Sequence, residues 1–184
     1  MLTLIRHGRP NLLPWRWGRR SDFVSFLQEF NSVSIDPAWA PPDIVVRRVN
    51  AAGSVFCSTA ARAHTSAEWL LVDRLPIIDA RFAEAPVAVP PLPLAMPLSA
   101  WIALGRLAWL AGLGMVPETP RQACDRAEIA ADLLTAAAQR HGSAALVGHG
   151  WFNRLIGTAL LSRGWRAEPA AGHGYWAHRD FLPP

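Results

Sequence analysis

The residues able to do chemistry in this chain cluster at three points. Arg6, His7 and Gly8 follow the apolar run Leu2 to Ile5; Arg62 lies four residues past Ser58 in "CSTAARAHTSA"; His149 stands between two glycines after "ALV". Guanidinium groups bind phosphate through directed N–H donors, and a neutral imidazole can attack phosphorus or carry a proton. Two arginines and two imidazoles in one crevice, beside helix amino termini, would form an anion pocket for a phosphoryl group, with one histidine free to react. Each residue has an ordinary structural use as well, a packed histidine or a surface arginine. The position of both histidines, directly after an apolar strand and before a glycine, favours the chemical reading.

Those positions demand a particular scaffold. Periodicity alternates between strand and helix type along the chain, which predicts an α/β domain spanning residues 1–184. Strands are expected at Leu2 to Ile5, Ser54 to Cys57, Pro76 to Asp79, Ala144 to Val147 and Gly174 to His178. Helices are expected over Ala60 to Leu71, Trp151 to Ser162 and Ser99 to Leu113. A further helix should begin at Pro120, with Thr119 as N-cap and Gln122 completing a capping box, and close at Gly142. In an open α/β sheet the carboxyl ends of the strands line one crevice, so the three polar clusters should converge there.

In their order and spacing these elements resemble the histidine phosphatase superfamily, the phosphoglycerate-mutase-like fold. Arg6-His7-Gly8 is similar to the end of that family's first strand, "CSTAARAHTSA" to its serine-arginine element, and "ALVGHG" to the site of its second histidine. The resemblance implies a three-layer α/β/α sandwich with a mostly parallel central sheet. It implies phosphomonoester hydrolysis through a phosphohistidine on His7, with Arg6, Arg62 and His149 binding the phosphate, and no cofactor or metal. It also implies a carboxylic proton donor after the third strand, which "DARFAEAP" supplies as Glu84, with Asp79 or a residue in the insertion as the fallback. Three departures stand out. Thr59 and Ala60 replace the family's Pro and Leu, "VAVPPLPLAMP" replaces its Gly and Trp-Glu-Gly elements, and Asn11 falls about two positions earlier than the family's phosphate-contacting Asn. Alternative readings are a phosphatase acting on protein phosphohistidine and a pseudophosphatase that binds a phosphorylated ligand without turnover.

Composition agrees with a folded domain that meets small anions. Of 184 residues 51% are hydrophobic and 17% charged, and all 18 basic residues are arginine, for a net charge of +4. The arginines are scattered and no nucleic-acid-binding motif is present, so no nucleic acid partner is expected. Cys57 and Cys124 lack metal-ligand spacing and are expected to be buried thiols. No secretory leader is visible, which makes a cytoplasmic location the expectation. His64, His141, His173 and His178 match no catalytic position. The loop with Arg9, Arg16, Arg19, Arg20, Trp15 and Trp17 is either a substrate-recognising rim or a solvated loop over packed tryptophans.

Residues 86–117 form the least familiar segment, an apolar insertion whose sole charge is Arg106. Five prolines in its first half and a central arginine argue against a membrane span. It is expected to be a short cap, a core helix or a face that pairs with a second copy. Trp101 and Trp109, two turns apart, should share a face with Leu98, Ile102 and Gly105. As a cap it would favour a small phosphorylated substrate with an apolar or aromatic leaving group.

Overall fold

Of the five residues Leu2 to Arg6 at the start of the chain, the first four are buried, as in a strand covered on both faces. A computed structural model, which describes every residue except His173, makes them the first strand of a six-stranded sheet. The chain runs β1 (Leu2–Arg6), α1 (Arg20–Ser32), α2 (Asp43–Ala51), β2 (Ser54–Cys57), α3 (Ala61–Leu70), β3 (Ile77–Ile78) and α4 (Leu98–Leu110). It continues through α5 (Pro120–His141), β4 (Ala144–Gly148), α6 (Gly150–Ser162), β5 (Arg166–Ala167) and β6 (His178–Leu182). The sheet order is β3-β2-β4-β1-β6-β5. β3, β2, β4 and β1 are parallel, and β6 runs antiparallel to both of its neighbours.

Alternation along the strands divides the core into two layers. Leu2, Leu4, Phe56 and Leu146 face α5 and α6, whose alanine-rich stripe through Ala127, Ala130, Ala131 and Leu134 lets the helix approach closely. Ile5, Val55, Cys57, Ala145 and Val147 face α2 and α3 through Val45, Val49, Ala67 and Leu70. The result is the expected α/β/α sandwich. Burial pushes the Cys57 thiol up to about 12, whereas Cys124 proves exposed on α5, contrary to the expectation of a buried thiol.

The capping signals are realised residue by residue. Thr119 Oγ1 accepts from the Gln122 amide at 3.3 Å, the Thr119 amide donates to Gln122 Oε1 at 2.8 Å, and Gly142 ends the helix at φ +78. Other boundaries move. Expected Pro76 to Asp79 contracts to the two-residue edge strand β3. Expected Gly174 to His178 is displaced: residues 174–177 form a turn in which Trp176 adopts φ +62, and the last strand starts at His178. Trp176 there is buried and packs on Gly8 instead of joining a ladder. The helix α1 lies outside the expected set, although Phe23, Phe26, Leu27 and Phe30 carry the i, i+3, i+4, i+7 pattern.

The 86–117 segment crosses beneath its own helix. Residues 86–97 run extended under α4, and Gly105 permits that approach, since a Cβ there would lie 2.4 Å from the Ala88 carbonyl oxygen. The α4 face bearing Leu98, Trp101, Gly105 and Trp109 is buried as expected. Ile102 is not part of it, because one residue of helix turns the chain by about 100° and carries Ile102 outward. Trp101 stacks on Phe23 at 5.5 Å and donates to the Gly18 carbonyl; Trp109 meets Trp151 edge-on at 6.4 Å and donates to the Glu118 carbonyl. Both indoles are spent on joining the segment to the body. No helix among the described residues is long and apolar enough to cross a membrane.

This packing predicts that Trp101→Ala lowers stability by about 3–5 kcal/mol, the cost of emptying a core aromatic site. Ile102→Ala should change it by no more than about 0.5 kcal/mol. Urea unfolding of the two variants checks both values; equal losses would contradict the assigned helix face.

Candidate active site

The central strand register brings the three polar clusters together. Arg6 lies opposite Gly148 across β1 and β4, and the His7 amide extends the ladder by donating to the Gly148 carbonyl at 2.9 Å. Next to them, Cys57 pairs with Val147, so Ser58 leaves β2 at the same level and delivers α3 with Arg62 in its first turn. His149 is the N-cap residue of α6. The His7 and His149 rings lie 5.2 Å apart, and His7, Arg62 and His149 are each at most 2% exposed.

Hydrogen bonding defines the tautomers. The Gly8 carbonyl, 2.7 Å from His7 Nδ1, can only accept, so Nδ1 carries the proton and Nε2 keeps its lone pair. Burial, then the Arg62 and Arg6 charges, lower the His7 pKa to about 3 against the opposing pull of the Gly8 carbonyl. Arg62 Nη2 donates to His149 Nδ1 at 3.4 Å, which leaves His149 Nε2–H to donate to Ser58 Oγ at 2.9 Å. His149 is held well below the usual imidazole range by burial, then by His7, Arg62, Arg6 and Arg126. Both rings are therefore neutral.

Arg62 is the buried cation at the centre. Its Nη1 donates to the Phe30 carbonyl at 2.6 Å and its Cζ sits 4.2 Å over the Phe30 ring. Burial lowers its pKa to about 10, with Glu84 and Tyr175 pulling upward, so it remains charged at neutral pH. One turn later Ser66 donates to the Arg62 carbonyl at 2.5 Å and accepts from the Gly8 amide at 2.8 Å, bracing the turn after His7. A Cβ on Gly8 would come within 2.4 Å of the Trp176 ring, which admits only glycine. The Nε groups of Arg6 and Arg62 are buried with no partner among the described residues. Such unmet N–H donors beside two neutral imidazoles fit an anion with several oxygens.

Glu84 is bound to the helix that follows His149, and its charge is felt by Arg62. Its Oε1 accepts from the Phe152 amide at 2.8 Å and the Ala85 amide at 3.0 Å, and its Oε2 accepts from the Trp151 amide at 3.2 Å. A carboxylate at the first turn of α6 is favoured by the helix dipole. Arg126 holds the approach to it, donating to the Arg81 and Ala83 carbonyls at 2.7 and 2.8 Å while paired with Glu118. Asp79 is drawn away: it caps the short 3-10 turn Ala80–Phe82 and pairs with Arg81.

The remaining expectations divide. Asn11 is exposed, Arg9 stacks on Trp39 at 4.6 Å, Trp15 packs on Phe26 and Trp17 faces solvent. His64 lies 3.7 Å from Glu68, His141 ends α5, His178 is buried on β6 and His173 lies outside the described residues. Sequence reasoning missed Tyr175, whose ring lies 5.7 Å from that of His7 and 4.6 Å from Arg6 Cζ, and Phe30 beneath Arg62. The Arg62 and Ser66 pairing was available as an i, i+4 spacing; Tyr175 was hidden because residues 174–177 read as strand. A cleft of about 540 Å³ opens beside Arg6 between α6 and β6. Among the described residues no group of three or more His, Cys, Asp or Glu is placed to hold a metal ion.

No protein-family model and no curated protein sequence matches the chain. Solved structures do. Phosphoserine phosphatase from Entamoeba histolytica in complex with 3-phosphoglyceric acid is 16% identical, with a TM-score of 0.56 over 88% of this chain and 79% of that one. A proposed alpha-ribazole-5'-P phosphatase from Escherichia coli is 18% identical, with a TM-score of 0.56 over 86% and 78%. The ecdysone phosphate phosphatase from Bombix mori, in complex with tungstate, is 13% identical, with a TM-score of 0.55 over 100% and 92%. At such identities the likeness is one of fold: the chain shares the α/β fold of these three phosphatases.

Two neutral buried imidazoles make stability depend on pH. The unfolded chain protonates them near the ordinary value of about 6.5, whereas folded His7 stays neutral to about 3. Between those values the unfolded state binds more protons, so stability falls as pH falls through the window and levels off above it. The melting temperature should drop from pH 7 to pH 4, and by less in His7→Gln, as scanning calorimetry would register.

Proposed function

We propose that the chain is a member of the histidine phosphatase superfamily and hydrolyses phosphomonoesters through a phosphohistidine on His7. The observation that carries this reading is a neutral His7 with an unprotonated Nε2, set among cations whose buried N–H donors lack partners. In the first step Nε2 attacks phosphorus, the bond to the leaving oxygen breaks, and that oxygen takes a proton from Glu84. In the second, water attacks phosphorus, the P–N bond breaks, and the water proton returns to Glu84 as inorganic phosphate leaves. One displacement is thereby split into two easier ones.

Arg6, Arg62 and His149, whose Nε2–H would turn from Ser58 Oγ to the substrate, hold the non-bridging oxygens and offset charge in a loose, in-line transition state. Glu84 serves as donor by loading its proton on Oε2, the oxygen with the single, longer amide bond. Tyr175, beside His7 and Arg6, is the second candidate donor. Residues 86–117 act as the cap of a single domain, though with both indoles buried in the joint it is the cap's other residues that would meet a leaving group. Protein phosphohistidine is the second substrate class to assay, and binding without turnover would mark a pseudophosphatase.

His7→Ala should abolish turnover with the fold intact, and labelled substrate should leave an acid-labile, base-stable phosphoryl group on His7; label on serine or aspartate would exclude the mechanism. Glu84→Gln should slow an alkyl phosphate by about 10²–10⁴-fold and p-nitrophenyl phosphate far less, since an activated phenolate leaves without acid help. If Tyr175→Phe shows that selective loss and Glu84→Gln does not, the proton donor is Tyr175.

A further inference from the structure

Helix α4 is apolar on both of its faces. The inner face fastens the cap, but the outer one carries Ile102, Leu107 and Leu110, and the chain beyond continues with Leu113 and a fully exposed Met115. Leu107 and Leu113 are 60% and 62% exposed, and it is their grouping with Ile102, Leu110 and Met115, not the exposure of any one of them, that marks this face. The segment's sole charge, Arg106, folds inward: its Nη1 donates to the Pro86 carbonyl at 2.9 Å and its Cζ lies 4.6 Å over the Trp151 ring.

Basic residues join the segment at the amino-terminal end of α4. Gly18 and Met96 exchange backbone hydrogen bonds of 3.0 and 2.9 Å, and the Gly18 carbonyl accepts from Trp101, which fixes the basic loop against the flank of the helix where α4 begins. Arg16, Arg19 and Arg20 are exposed there, Trp17 is 69% exposed, and Arg19 and Arg20 border a shallow cleft with Pro91, Leu92 and Pro93. Neither residues 1–21 nor residues 85–117 contain a single Asp or Glu.

We propose that this face docks on an anionic lipid bilayer, α4 lying in the plane of the interface with its outer leucines at the headgroup boundary and Arg16, Arg19 and Arg20 against the lipid phosphates. The helix spans about 20 Å, too short to cross about 30 Å of hydrocarbon but suited to lying along its edge. Charge decides against a second copy of the chain as the occupant. Pairing two such faces would bring arginines together, and the nearest carboxylate, Asp22, is occupied in accepting from the Arg19 amide at the start of α1, whereas an anionic surface complements both the ridge and its basic border. The inference is independent of the proposed phosphatase chemistry.

The test is co-sedimentation of the full chain with vesicles of phosphatidylcholine alone and of phosphatidylcholine mixed with phosphatidylglycerol. The chain should pellet with the mixed vesicles, only weakly with the neutral ones, and less as salt is raised. Arg16→Gln with Arg20→Gln should lower the partition coefficient about thirtyfold. Leu107→Glu with Leu110→Glu should abolish binding, and Met115→Glu, in the turn outside the helix, should weaken it without touching α4. Thermal melts establish that each variant is folded. Absence of binding to the mixed vesicles, binding unaffected by these substitutions, or a dimer in sedimentation velocity that Leu107→Glu with Leu110→Glu splits would each overturn the proposal.

Discussion

A guanidinium buried to 1% exposure, with no carboxylate in contact, is the constraint on which the rest of the site depends. Removing such a charge from water costs several kcal/mol unless geometry compensates it. Here the compensation for Arg62 is distributed. One amine donates to the Phe30 carbonyl, the other to His149, the Phe30 ring lies under the charge, and the field of Glu84 acts from across the crevice. The arrangement explains why α1, remote in sequence from Arg62, must end against α3: it supplies the carbonyl and the ring. Burial first, and then the same cation, disfavours a proton on His7 and on His149 and keeps both imidazoles neutral.

The backbone around the cluster is fixed as firmly as its side chains. Asn153 donates to the Ile5 carbonyl at 3.0 Å, Ser66 fixes the Gly8 amide, and the His7 amide is held by Gly148. Each links the end of one strand to a neighbouring element, so the nucleophile proposed here is held by three separate parts of the chain. Glu84 performs the equivalent service for the cap, tying its entry to the first turn of α6, directly after His149. Preorganisation of this kind is what phosphoryl transfer by positioning and electrostatics requires.

The 86–117 segment is apolar in composition yet continuous with the core. Glycine at position 105 and alanine at position 88 allow the irregular stretch before α4 to pass directly against the helix, and two tryptophans fill the joint. Its outer surface is left apolar and bordered by arginine, a surface chemistry distinct from that of the crevice below it.

Much of this was legible in the sequence because it is local. The apolar runs before His7 and His149 specify β1 and β4, Thr119 with Gln122 and Gly142 bound α5, and an α/β sheet places its strand ends in one crevice whatever the loops do. Arg62 was identified by its distance from Ser58. Tertiary structure alone decided what depends on which surface meets which. Glu84 became a helix cap, Asp79 turned to Arg81, Trp101 and Trp109 faced inward while Ile102 faced out, and residues 174–177 became a turn that sets Tyr175 beside His7. The physical reason is that periodicity and capping act within a few residues of chain, whereas the partner of a carboxylate, an indole or a phenol is fixed by contacts between segments far apart in sequence, which local propensity does not encode.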